Sequence, residues 1–179
     1  MNFRWATFNL YLLLVLLGLG GCASKPDKAK DTTKKHKHEA TTLLLHMEID
    51  AEGSGQTWTV PIVRDSPVMV TIDKTPFIDG AAVDEAWVID QPGGGFAIKI
   101  HFNQRGTWLL ENMTASYPHH RIAIFSQFGD ARWLAAPMID RRISNGILVF
   151  TPDATREEAE RIVRGLNNVA KELKKQDTP

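Results

Sequence analysis

The chain has 179 residues, a single cysteine, Cys22, and 21 basic against 21 acidic side chains, so its formal net charge is zero. That balance argues against a nucleic-acid binder, which gathers Lys and Arg on one face, and one cysteine excludes an internal disulfide or a cysteine-rich metal site. With its flanking segments set aside, a chain of this length makes one domain.

Residues 1–22 read as a targeting segment. Arg4 gives a positive start, Leu10 to Leu19 is an apolar core, and Leu19-Gly20-Gly21-Cys22 looks like a bacterial lipobox. A membrane span needs roughly 20 apolar residues, so cleavage before Cys22 is favoured over an uncleaved anchor helix from Trp5 to Gly21. Cys22 is then the lipidation site. One acyl chain binds marginally, at about 0.8 kcal/mol per buried methylene, whereas several chains anchor permanently. By resemblance to proteobacterial lipoproteins, Ala23 favours the outer over the inner membrane. The expected location is the cell envelope, lipid-anchored and facing the periplasm.

Residues 23–40 carry six lysines, Asp27, Asp31, Glu39 and Pro26 with almost nothing apolar, the composition of a disordered linker. Such a tether spans roughly 23 Å. His36-Lys37-His38-Glu39 suggests a metal site only weakly, because the neighbouring lysines repel a cation. Beyond the linker the chain is mildly acidic.

Residues 41–179 are the folded part. Thr42 to Ile49 and Thr57 to Val63 are expected to pair around Glu52-Gly53-Ser54-Gly55, and Pro67 to Ile72 forms another strand. Ala81 to Glu85 suits a short helical turn before a strand from Ala86 to Asp90, and Gln91 to Gly95 a hairpin turn. The glycines precede a strand, without the Lys-Ser or Lys-Thr of a phosphate-binding loop. Phe96, Ile98, Ile100 and Phe102 alternate with Ala97, Lys99 and His101, one face core and one wet. Asn103 suits a helix N-cap, after which Gly106, Leu110, Met113 and Tyr117 share a face until Pro118 ends the helix. His119-His120, with no third ligand adjacent, reads as solvated turn residues.

Three apolar runs follow, Ile122 to Phe125, Trp133 to Ile139 and Ile147 to Phe150, separated by Gly129-Asp130 and Ser144-Asn145-Gly146. That spacing predicts an antiparallel meander, with Pro137 at an edge or bulge. Thr155 and Glu158 form a capping box, and Ala159, Ile162, Val163, Leu166, Val169, Ala170 and Leu173 give the last helix an apolar stripe. The fold class is α+β, an antiparallel β-sheet with two main helices packed on one face.

Residues 96–173 resemble the head of the first periplasmic domain of SecD, a membrane subunit of the bacterial protein-export machinery. Asn103, Gly106, Leu110, Met113 and Thr114 fit that family's Leu-Asn-x-x-Gly-Ala-x-x-Phe-x-x-Leu-Thr pattern. Ile122-Ala123-Ile124 resembles its Leu-Ala-Ile strand, and Ala135-Ala136-Pro137-Met138-Ile139 its Ser-Ala-Pro-Val-Ile. Ile143 and Gly146 keep the spacing of the next turn, and Thr155 to Ala159 resembles Phe-Thr-x-Glu-Glu-Ala. In place of the family's Leu-Asp-Gly turn stands the longer Ser126-Gln127-Phe128-Gly129-Asp130. The resemblance implies a module that engages polypeptides emerging from the export channel.

No catalytic motif, cofactor site or metal site is present in the sequence: Gly-x-Ser-x-Gly, His-Glu-x-x-His and the P-loop are all missing. The chain reads as a non-catalytic protein- or polypeptide-binding lipoprotein, held to the membrane by its lipid and without a nucleic-acid partner. The alternative is a ligand-sensing or structural envelope lipoprotein that reuses the fold. The lengthened loop supplies the candidate partner-binding residues, Phe128, Arg132 and Trp133, because aromatics and Arg concentrate interface energy. In the competing reading Phe128 folds back over the sheet edge.

Overall fold

The computed structural model describes residues 39–50 and 55–176. Cys22, the targeting segment and most of the linker lie outside the described residues. The elements are β1 (Thr42–Met47), β2 (Thr57–Ile62), β3 (Val68–Asp73), β4 (Ile78–Asp79), a 3-10 turn (Gly80–Ala82), β5 (Val83–Asp90), β6 (Phe96–Phe102), α1 (Gln104–Ser116), β7 (Ile122–Phe128), β8 (Asp130–Ala135), β9 (Ile147–Phe150) and α2 (Arg156–Gln176).

The strands form three antiparallel ladders, ordered β4-β1-β7-β8, β5-β6-β9 and β2-β3. Two expected pairings differ. β1 does not pair with β2: it lies between β4 and β7, with Leu44 opposite both Asp79 and Phe125. Its Leu43, Leu45, Met47 and His46 are all buried, so both faces are covered and the strand is central, whereas a two-stranded hairpin would leave it at an edge. β8 and β9 do not continue one meander either, since β9 pairs with β6. Pro137 has no N–H to extend the β8 ladder, and residues 136–146 carry the chain across to the second sheet.

The main core collects one face of each larger sheet, with Leu45, Ile124, Leu134, Ile98, Ile100, Phe102 and Leu148 packed together. α1 adds Leu110, and α2 adds Ala159, Ile162, Val163 and Leu166. On the opposite face of the four-stranded sheet, Val60, Ile62, Val70 and Ile72 of the β2–β3 ladder pack on Ala123, Trp133 and Ala136. The helices therefore share one side and a strand pair covers the other.

Local chemistry explains the helix ends. The Asn103 side chain accepts a hydrogen bond from Gly106 N–H at 2.9 Å, and in the capping box Thr155 N–H donates to Glu158 while Glu158 N–H donates to Thr155 Oγ1. Buried Thr114 ties α1 to the crossing segment: its hydroxyl donates to Leu110 O at 2.8 Å and accepts Ile143 N–H at 2.9 Å. The folded body begins slightly before the expected boundary. Glu39 pairs with Arg164 at 2.9 Å, and its carbonyl accepts from Asn168. No helix among the described residues is long and apolar enough to cross a membrane.

Candidate functional site

The segment expected to be a long loop is ordered ladder almost to its tip. Phe128 lies opposite Asp130, and Gly129 alone makes the turn at φ 73°, a conformation most residues adopt at a cost. Phe128 folds back against the main core with the Arg161 guanidinium 4.6 Å over its ring, the competing reading of the sequence. Trp133 packs edge-on against Phe125 and against His46, whose Nδ1–H donates to the Asp73 carbonyl at 2.8 Å. Arg132 pairs with Glu158 at 3.1 Å. Phe128 and Arg132 thus share the rim of one cleft of about 200 Å³ between the hairpin and α2, and Trp133 belongs to the second core behind it. Ser126 also lines this cleft, and its buried hydroxyl has no hydrogen-bond partner among the described residues. Neither Ser126 nor Arg161 stands out in the sequence, because the cleft forms only when strand and helix meet.

Electrostatics on this side are local. Thr155 N–H, and after it Arg132, hold the Glu158 carboxyl below its ordinary range. On β5, the hydrogen bond from Lys174 holds Asp84 low, helped by His101 at 3.2 Å. Both carboxylates titrate lower folded than unfolded, so their stabilisation is present above the ordinary value, 4.5 for Glu158, and is lost as pH falls through the folded one. Glu158→Gln should flatten the acid limb of a plot of urea midpoint against pH, and an unchanged limb would refute this assignment.

His119 and His120 sit at the turn after α1, with His120 edge-on to Tyr117. Among the described residues no three His, Cys, Asp or Glu side chains gather as a metal site.

A second cleft, of about 640 Å³, opens between β9 and the crossing segment. Its floor includes Ile122, Ile139 and Leu148, and on its rim Met138 and Val149 are 49% and 45% exposed, high for apolar side chains. The hydrogen-bond pattern fixes which way the backbone points there. Phe102 N–H donates to Gly146 O, so by the period of two Leu148 and Phe150 face β6 while Ile147 and Val149 face away. Ile122 N–H to Pro137 O and Ile139 N–H to His120 O likewise turn the Met138 backbone outward.

Residues 56–170 match the family of the SecDF P1 head subdomain, which is well over half of the chain. The chain belongs to the SecDF P1 head family. The match begins at residue 56, ahead of Phe96, so β2 and β3 fall within the head. The fold is shared with a solved structure of a membrane component SecDF that enhances protein export, at 19% identity and TM-score 0.56, over 83% of this chain and 71% of that one. It is shared equally with SecDF in a super-membrane-facing form, again 19% identical with TM-score 0.56, over 80% of this chain and only 21% of that longer one. No curated protein matches the sequence.

Proposed function

We propose that this SecDF head protein is a non-catalytic polypeptide-binding module, lipid-anchored through Cys22 and facing the periplasm, that serves protein export. The observation that carries the reading is the cleft beside β9, where a head-family domain leaves Met138 and Val149 half exposed over an apolar floor. A polypeptide not yet folded presents apolar side chains and unpaired backbone together, and a groove that joins an apolar floor to the polar residues Asp140, Arg141, Arg142, Ser144 and Asn145 suits it. A photoreactive amino acid at Met138 should capture translocase components or nascent secreted chains in intact cells. If it captures neither while the protein is present at normal abundance, the export reading fails.

The anchor has its own test. Cys22→Ser removes the lipidation site and should release the protein from membranes, whereas a variant still held there with its apolar segment intact would establish the uncleaved helix. A second reading, as a ligand-sensing envelope lipoprotein, is favoured by the smaller cleft. There the Ser126 hydroxyl, without a partner among the described residues, lies beside Phe128, Arg132 and Arg161, groups suited to a small polar ligand.

A further inference from the structure

We infer that β9 binds its polypeptide by strand addition, the incoming chain pairing along the outer edge of the β5-β6-β9 sheet. The inference rests on the polypeptide-binding reading and names how that surface would engage its partner. The outward groups of β9 are the Ile147 carbonyl and the Val149 N–H and carbonyl, followed just past the strand by the Thr151 N–H, and none has a hydrogen-bond partner among the described residues. Ile147 N–H is already taken by Asn145 Oδ1 at 3.1 Å, which marks where pairing begins. Groups at alternate residues along an extended edge are matched by an extended backbone, which offers the same groups at the same period.

Two other lateral edges, those of β5 and β8, are treated differently. On β5, the Asn167 side chain donates to Ala86 O at 2.9 Å and accepts from Ala86 N–H at 2.8 Å, occupying both groups that a neighbouring strand would use. Lys174 donates to the Asp84 carbonyl on the same edge. On β8, the Leu134 carbonyl accepts Asp153 N–H at 2.7 Å. Among the described residues the outer edge of β9 has only the Asn145 hydrogen bond, at its first residue, and it carries half-exposed Val149.

Side chains then set the preference. Leu148 and Phe150 point into the core, so alternate residues of the added strand would lie beside them over Ile122 and Ile139, and the residues between would lie with Val149 toward solvent. The structure assigns an occupant with apolar residues at every second position and an unfolded backbone, whatever its exact sequence.

Amide exchange on the full-length protein in detergent tests this, with a reduced and carboxymethylated, permanently unfolded polypeptide as probe. Val149 and Thr151 amides should slow at least tenfold on adding it. Val149→Pro deletes an N–H that β6 does not use, and proline is tolerated at sheet edges, so the variant should keep its melting temperature and bind the probe at least tenfold more weakly. Equal binding by both chains, or protection appearing at residues 126–132 with β9 unchanged, overturns strand addition and leaves polypeptide binding standing. No binding by either chain sinks both. Slowing of Val149 exchange with protein concentration alone, without probe, would assign the edge to a second copy and also overturn the proposal.

Discussion

A chain ending at Phe150 should not fold. The truncation keeps every strand but removes Ala159, Ile162, Val163, Leu166 and Ala170, all buried, and uncovers the sheet residues beneath them. Ile162, Val163 and Leu166 together contribute on the order of 5 to 9 kcal/mol by their burial. That is comparable with the entire stability of an ordinary domain, about 5 to 15 kcal/mol. The proton spectrum of the truncated chain should show collapsed amide dispersion, and a sharp, dispersed spectrum from a soluble product would refute the role given to α2.

Gly165→Ala should destabilise the fold, against the usual helical trend. At an exposed helical site the change from Gly to Ala adds about 1 kcal/mol of stability. At Gly165 a new Cβ would run into the Thr41 side chain and come within 3.0 Å of the Thr41 backbone nitrogen, where β1 begins. Backbone cannot rotate away, so helix and strand must separate, at a cost of about 1 to 3 kcal/mol. The sign alone is diagnostic: the denaturant midpoint should fall. Thr41→Ala in the same chain should restore part of the loss, because it removes the hydroxyl and a methyl but not the nitrogen. A gain in stability from Gly165→Ala would overturn the close approach.

Features whose cause lies within a few residues were readable in the sequence. The Asn103 cap, the capping box of Thr155 and Glu158, the alternation along β6 and the apolar stripe of α2 are all realised. Which strand pairs with which was not, because neighbours in sequence make a prior for pairing that the burial of both faces of β1 overrides. The clefts were less legible still. Phe128 looked like a loop-tip aromatic because nothing nearby shows that Arg161 will lie over its ring. Asn167 and Gly165 look like ordinary helix residues until Ala86 and Thr41 arrive beside them from far along the chain. Met138 and Val149 sat inside apolar runs, where exposure is decided by the crossing segment rather than by their own neighbours.

The Asn167 amide on Ala86 has a consequence for assembly. A sheet that accepts a strand on both sides is a building block for a fibre, since each guest can be followed by another host. Here the β5 flank is shut by a side chain of the domain's own helix at the place where a second host would dock. Growth from β9 would therefore not be continued through β5, so that the protein, meeting unfolded chains at high local density, would not be extended across this sheet into a fibre.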